Sequence, residues 1–421
     1  MASLLERIPP HTLLGLALAI TLAVPAAAQD GAAAGQTRAG GLAAEREAKS
    51  QNLAPPSRSW LERTLYWYDS HDAKFQWRGM HYGGGSFPNG AGFGYGIGFT
   101  RRALGSALVD PDQPNRIDVD LLAARSTRGY QRLAARLDLL NAAGTPVDFT
   151  VRWQDYRLPQ EDFHGFGPHS QEGNRTNYRL DGSEAGAGVR WRPSEGAALG
   201  GTLSVLTPSL GRGTDHRYPA TEDAFEPSTL PGFETLSTFI RSDLSIAFDW
   251  RDSATHPRRG GHYRATASAY NDHNLGRYDF RRLDVAVQQI LPLPNAYRRL
   301  EVRATAAFTD AANGQRVPLI YQPALGGAHT LRGYRDARFR DRHSVSMSAE
   351  YQWEAWWALD AALFVDAGQV MPRLRDFTAK DVEVTYGVGF RMHSDTAFLA
   401  RLDLAFSREG FVPLLGFQYG F

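Results

Sequence analysis

Asp243–Arg251 reads DLSIAFDWR, and in it Leu244, Ile246, Phe248 and Trp250 alternate with Asp243, Ser245, Ala247, Asp249 and Arg251. A period of two sends successive side chains to opposite faces of a pleated strand, so this segment is a strand with one apolar and one polar face. The polar face carries both signs of charge. The same split recurs in Arg132–Leu139 (RLAARLDL), Arg282–Val287 (RLDVAV), Leu300–Thr309 (LEVRATAAFT) and Phe398–Ser407 (FLARLDLAFS).

Working outward from these segments, breakers divide the chain from Lys74 onward into sixteen candidate strands. They lie near residues 74–83, 90–102, 115–127, 129–141, 145–155, 175–192, 197–211, 236–251, 261–273, 277–292, 297–310, 342–355, 358–370, 381–393, 396–408 and 412–421. Short connections fall at Asn141–Thr145, Pro193–Gly196, Asp252–Gly260, Pro292–Ala296, Glu354–Trp357 and Ser394–Thr396. The longest ones, Arg157–Asn174, Arg212–Thr235 and Ala311–Asp341, all fall on the alternate side; the connection Ala103–Pro114 is the one exception to the pattern. Short turns on one side and long loops on the other predict an all-β fold, a transmembrane antiparallel β-barrel with its turns in the periplasm.

A soluble β-sandwich also alternates, but it buries its apolar face and does not repeat strands of ten or more residues sixteen times, whereas a membrane strand needs about 9–11. Trp191, Trp250, Trp353, Trp356 and Trp357 fall at strand ends beside the predicted periplasmic turns, where amphipathic indoles sit at a membrane interface. Leu415, Phe417, Tyr419 and Phe421 share one face of the last strand. A barrel leaves no unpaired edge in lipid, so that strand is expected to close against the first.

Composition agrees. The 421 residues include 42 Gly, 22 Phe, 17 Tyr and 9 Trp and no Cys, and the mean hydropathy of −0.38 excludes a polytopic helical membrane protein. Lys and Arg total 46 against 45 for Asp and Glu, which gives no polycationic field for nucleic acid. Arg7, the apolar run Leu13–Val24 and the small residues Ala26–Ala28 predict a secretory signal peptide over residues 1–28. Residues 29–73 are Ala, Gly and charge-rich and are expected to form a disordered or partly helical periplasmic segment, with Ser59 and Glu62 as a capping box for a short helix in Ser59–Asp69. Residues 74–421 are the predicted barrel.

Three motifs then resemble the BamA/TamA family of outer-membrane assembly and translocation barrels, also called the bacterial surface antigen family. Asp249-Trp250-Arg251-Asp252, followed by Pro257 and Gly260-Gly261, is similar to the family's D-x-R-D…P-x-x-G periplasmic hairpin. Leu325–Tyr334 (LGGAHTLRGY) resembles its sixth extracellular loop, the tetrad being Leu331, Arg332, Gly333 and Tyr334, with Leu331 in place of the usual Val. Phe364-Val365-Asp366-Ala367-Gly368 matches the F-x-D-x-G pattern of a following strand. The resemblance implies that this loop folds back into the lumen and that Arg332 pairs with Asp366 and, as a second acidic partner, Glu350. Physical chemistry fits that role, because a guanidinium fork suits carboxylates and the pairing strengthens in a desolvated lumen. Gly333 is expected to adopt a backbone conformation forbidden to larger residues. The family's polypeptide-transport domains have no counterpart in residues 29–73, which are too short for one. The resemblance covers the barrel only.

Gly92–Gly98 (GFGYGIG) has glycine at every second position and forms no nucleotide-binding loop; it is expected to line one strand face and ease bending. No H-E-x-x-H or G-x-S-x-G occurs, and no catalytic residue, metal ligand or cofactor is assigned. Three functions stay open: a membrane-assembly or translocation component acting through a seam between the first and last strands, a solute pore or surface antigen, and a barrel enzyme assembled from distant residues. The expected partners are outer-membrane lipid, the assembly machinery that inserts the barrel, and a periplasmic accessory protein or substrate chain; nucleic acid is not among them.

Overall fold

The computed structural model describes residues 79–82, 87, 90–104, 116–254, 256–295, 297–356, 358–393 and 398–417. The signal peptide and the segment 29–73 lie outside these residues, as do Trp357, Tyr419 and Phe421. Sixteen strands form one antiparallel sheet. They are β1 (Met80–Tyr82), β2 (Gly94–Leu104), β3 (Arg116–Ser126), β4 (Gln131–Leu140), β5 (Val147–Phe163), β6 (Thr176–Ser194), β7 (Ala197–Arg212), β8 (Phe239–Asp249), β9 (Gly260–Asp272), β10 (Phe280–Pro292) and β11 (Arg298–Ala311). After a long connection come β14 (His343–Trp356), β15 (Leu359–Met371), β16 (Glu383–His393), β17 (Phe398–Ser407) and β18 (Gly410–Phe417). The connection itself holds the small hairpin β12 (Ala324–Leu325) and β13 (Phe339–Arg340).

Neighbours in sequence are neighbours in the sheet throughout, and the two faces differ as the alternation predicts. On β8, Leu244 and Phe248 are 67% and 45% exposed, and Trp250 just beyond its end is 52% exposed. An apolar face this open is not built for water. On β14 the opposite face carries Ser344, Ser346, Ser348, Glu350 and Gln352, all buried, while Met347 points outward. The sheet is inside out: apolar side chains cover its outer surface, and polar ones pack within.

That inner face is neutralised pair by pair. Arg136 donates to Asp138 at 2.6 Å and Arg282 to Asp284 at 2.7 Å, each two residues along its own strand. Across strands, Arg190 meets Asp148 at 2.7 Å, and Arg152 and Arg241 converge on Glu184 at 2.9 and 2.6 Å. The two signs of charge seen on each polar face in the sequence are these pairs.

Contacts between distant strands show that the sheet is rolled. Arg338 of the β11–β14 connection donates to the Ser170 carbonyl in the β5–β6 loop at 2.7 Å. At the opposite end, His256 in the β8–β9 turn stacks on His393 of β16. Among the described residues no ladder joins β1 to β18.

Turns at the end predicted to be periplasmic are short, and Trp191, Trp250 and Trp356 stand there with 47%, 52% and 37% of their surface exposed. Among the described residues the boundary that differs most from expectation is the end of β5. Residues 157–163 continue β5 instead of opening a loop. The β5–β6 register slips between Leu158 and Glu161 and then resumes with Phe163 opposite Thr176. Pro159, which has no N–H to give a ladder, sits at that slip, where a bulge tolerates it. The strand therefore outruns a bilayer-spanning length of about 9–11 residues. Beyond it, Phe163, Tyr178, Leu230, Phe233 and Leu319 form an apolar cluster that gathers the outer loops. The glycines of β2 share the inner face, and the His81 ring of β1 fills the space that a Cβ on Gly98 would need.

Two predictions follow from this architecture. Leu244→Arg on the outer face is expected to lower the unfolding free energy from phospholipid vesicles by about 2–4 kcal/mol. Ser245→Arg, facing the lumen, should cost clearly less; equal losses would refute the assignment of faces. His164, in the β5–β6 loop, is buried with neither ring nitrogen hydrogen-bonded among the described residues. Burial, reinforced by Arg338, pushes its imidazole down to about 3. The opened loop then takes a proton before the closed one, so loop stability falls as pH drops from 6.5 towards 3. His164→Gln should flatten that pH dependence in hydrogen-exchange protection of the outer loops.

Candidate functional site

The β11–β14 connection does not stay outside the barrel. Gly326 and Gly327, with φ of 123° and 82°, turn the chain inward in a conformation that favours glycine. Leu325, Leu331, Tyr334 and Phe339 then pack on Val370 of β15 as a small apolar core. Gly368 has no side chain where Leu325 approaches: a Cβ there would lie 3.0 Å from the leucine Cδ1 and 2.9 Å from the Val345 carbonyl. The glycine of the F-x-D-x-G pattern is thus the seat of the loop.

At the loop's tip Arg332 is 1% exposed and its partners Asp366 and Glu350 are 0% and 1% exposed. Its Nε and Nη2 donate to the two oxygens of Asp366 at 2.9 and 2.6 Å, and its backbone N–H adds a third bond at 3.1 Å. Nη1 donates to Glu350 at 2.5 Å and Nη2 also to the Ser348 hydroxyl at 3.0 Å. The guanidinium carbon lies 3.5 Å above the Phe364 ring, a cation–π contact. Four of its five guanidinium N–H groups have hydrogen-bond partners, and the Phe364 ring covers one face. Asp366 further accepts from Thr385 at 3.1 Å.

Three residues that the motifs did not flag, Arg391, Asp403 and Arg401, complete the cluster. Arg391 of β16 donates to both oxygens of Glu350, at 2.8 and 2.9 Å, and to Asp403 of β17 at 2.6 Å. Arg401 stands 3.3 Å from Asp403 and donates to the Ala328 carbonyl of the loop at 2.6 Å. Four strands, β14 to β17, therefore meet on one tip. The available signal was the alternating charge in Phe398–Ser407 and in FRMH of β16, but charge alternation covers the whole inner wall and does not single these out.

Tyr334 donates to Glu383 of β16. Gly333 is present for a different reason from the one expected. Its φ is not positive; a Cβ there would sit 2.7 Å from the Phe406 carbonyl, so the glycine allows close backbone approach to β17, where Ser407 donates to the Gly333 carbonyl at 2.8 Å.

The hairpin motif lies at the other end. Arg251 pairs with Asp249 at 2.7 Å, and Asp252 accepts the backbone N–H groups of Arg258 and Arg259 at 2.9 and 3.3 Å, closing a turn that contains Pro257. Gly260 has φ of 100° and lies against the Trp250 carbonyl, so no side chain fits there. Burial, then the neighbouring Arg299, pushes the His256 imidazole in this turn down to about 4. At the C-terminus, Phe417 ends β18; the remainder of that strand signal lies outside the described residues.

Residues 137–420 match the Omp85 superfamily domain, a span that contains all three motifs. The chain belongs to the Omp85 superfamily. It is an outer-membrane β-barrel of the BamA/TamA-like kind. Among solved structures it is similar to BamA from Haemophilus ducreyi lacking POTRA domains 1-3, with a TM-score of 0.55 at 12% identity over 78% of this chain and 69% of that one. CdiB from Acinetobacter baumannii aligns at 12% identity and a TM-score of 0.46 over 78% of this chain and 57% of that one. CdiB from Escherichia coli aligns at 14% identity and 0.47 over 82% and 61%. No curated protein sequence matches significantly. As an Omp85 superfamily barrel the protein resides in the outer membrane of a Gram-negative bacterium.

Removing the guanidinium leaves Asp366 and Glu350 buried with too few donors, a situation that costs about 3–5 kcal/mol for a broken buried pair. Arg332→Ala is therefore expected to lower the temperature at which the heat-modifiable gel band is lost and to reduce folding yield, and Arg332→Lys, which lacks the fork, to recover only part. Wild-type behaviour of the alanine variant would show that the cluster does not hold the loop.

Proposed function

We propose that this barrel assembles or translocates substrate chains at the outer membrane, through a seam between β1 and β18 that opens laterally. The observation that carries the reading is the Arg332 cluster. A loop tip saturated with buried ion pairs occupies the lumen, and such a plug suits a barrel whose traffic leaves by its side better than one passing solutes down its axis. The inward loop also touches β17 through Gly333 and the β17–β18 turn through Arg338, which reaches Glu409 at 2.9 Å. Its position is thus coupled to the strands beside the seam.

The substrate is a polypeptide or lipid of the outer membrane, delivered by a periplasmic accessory protein, and the barrel's own insertion uses the cell's barrel-assembly machinery. The role requires no cofactor and no catalytic residue.

In a deletion strain the outer-membrane protein or lipid profile is expected to lose specific components, and restoring the wild-type chain but not Arg332→Ala should recover them. An unchanged profile overturns the proposal. Planar-bilayer recordings supply the second arm: a plugged barrel gives small, unsteady conductance, and a large steady conductance would identify a solute pore instead.

A further inference from the structure

At the turn end of the barrel, His256 of the β8–β9 turn, Asp360 near the start of β15 and His393 at the end of β16 come together. One ligand atom from each lies within 4.8 Å of the other two. The imidazoles stack with centroids 4.0 Å apart and planes at 22°. Their Nε2 atoms address different oxygens of one carboxylate, His256 the Oδ2 at 3.6 Å and His393 the Oδ1 at 3.5 Å. Of these separations, that of His256 exceeds an N–H···O bond of 2.7–3.2 Å. Both are close to the ligand-to-ligand edge of roughly 3.4 Å in a tetrahedral site with bonds of about 2.0–2.1 Å. Asp360 is 1% exposed, and His256 Nε2 is buried without a hydrogen bond among the described residues. Arg299 of β11 donates to Asp360 Oδ2 at 2.6 Å, which fixes the carboxylate.

We propose that His256, Asp360 and His393 bind a transition-metal ion of the zinc class, and that the ion staples the β8–β9 turn to the ends of β15 and β16. Two imidazoles and a carboxylate form a borderline donor set suited to such ions, and the fourth position falls to water. Turning the two rings out of their stack aims both lone pairs at one ion. The turn so held is the one closed by Asp252 and entered through Gly260, and it belongs to strands far from β15 and β16 in the sheet order. The ion would therefore cross-link two remote parts of the periplasmic rim, where a local ion pair joins only neighbours.

The test uses the full chain folded in detergent, stripped with EDTA and titrated with zinc sulfate by calorimetry. One zinc per chain is expected, with affinity at least about tenfold weaker in His256→Gln and in His393→Gln. Both variants are first shown to keep heat-modifiable mobility. The second readout is trypsin cleavage after Arg258 and Arg259 in the turn. Zinc should slow it several-fold in the wild type and not in His393→Gln, whose substitution lies on a different element. Equal zinc uptake by the wild type and the His256→Gln/His393→Gln double variant overturns the site, leaving a charge-paired strut. Zinc uptake with unchanged cleavage overturns the staple.

Discussion

The structure depends on one desolvated ion cluster. Arg332, Asp366 and Glu350 are each about 1% exposed or less, and ions taken out of water are costly unless every donor and acceptor is matched. Here both carboxylates are matched: Asp366 receives two guanidinium bonds, a backbone N–H and a hydroxyl, and Glu350 receives Arg332 and Arg391. Such a cluster is highly specific in geometry. It forms only when the loop is inside the barrel and β14 to β17 are in register, so it couples the conformation of the loop to that of the wall.

The rest of the barrel is arranged around this requirement. Small residues line the approach: Gly368 receives Leu325, Gly333 meets the β17 backbone, and Gly387 leaves room for the Phe364 ring that lies beneath the guanidinium. Elsewhere on the inner wall, Arg and carboxylate pairs two residues apart neutralise one another strand by strand. These pairs are part-exposed to the lumen and contribute little each, about 0–1 kcal/mol. They keep the interior polar without fixing a particular shape. The buried cluster fixes the shape.

Much of this was legible in the sequence because it is local. Period-two alternation follows from the pleat, and the short turns, the long loops and the aromatic ends follow from the thickness of a bilayer, so sixteen strands could be delimited without tertiary information. The limit came where a local signal has two meanings. Residues 157–163 read as the opening of a loop, yet they continue β5, with Pro159 at a bulge, because the β6 partner continues opposite them. Gly333 reads as a residue chosen for backbone freedom, yet it is there because the Phe406 carbonyl leaves no space for a Cβ.

Alternation and turn spacing determine by themselves a sixteen-stranded barrel, because they are written in neighbouring residues; the lumen loop and its principal ion pair were legible only through the family resemblance that the three motifs carry. Only the tertiary structure decides which further charges join that pair. Arg391 and Asp403 look like any other members of an alternating wall until rolling the sheet brings their strands to the loop tip. The same holds for His256, Asp360 and His393. They lie on three separate elements, and only the rolling of the sheet brings their side chains within reach of one another.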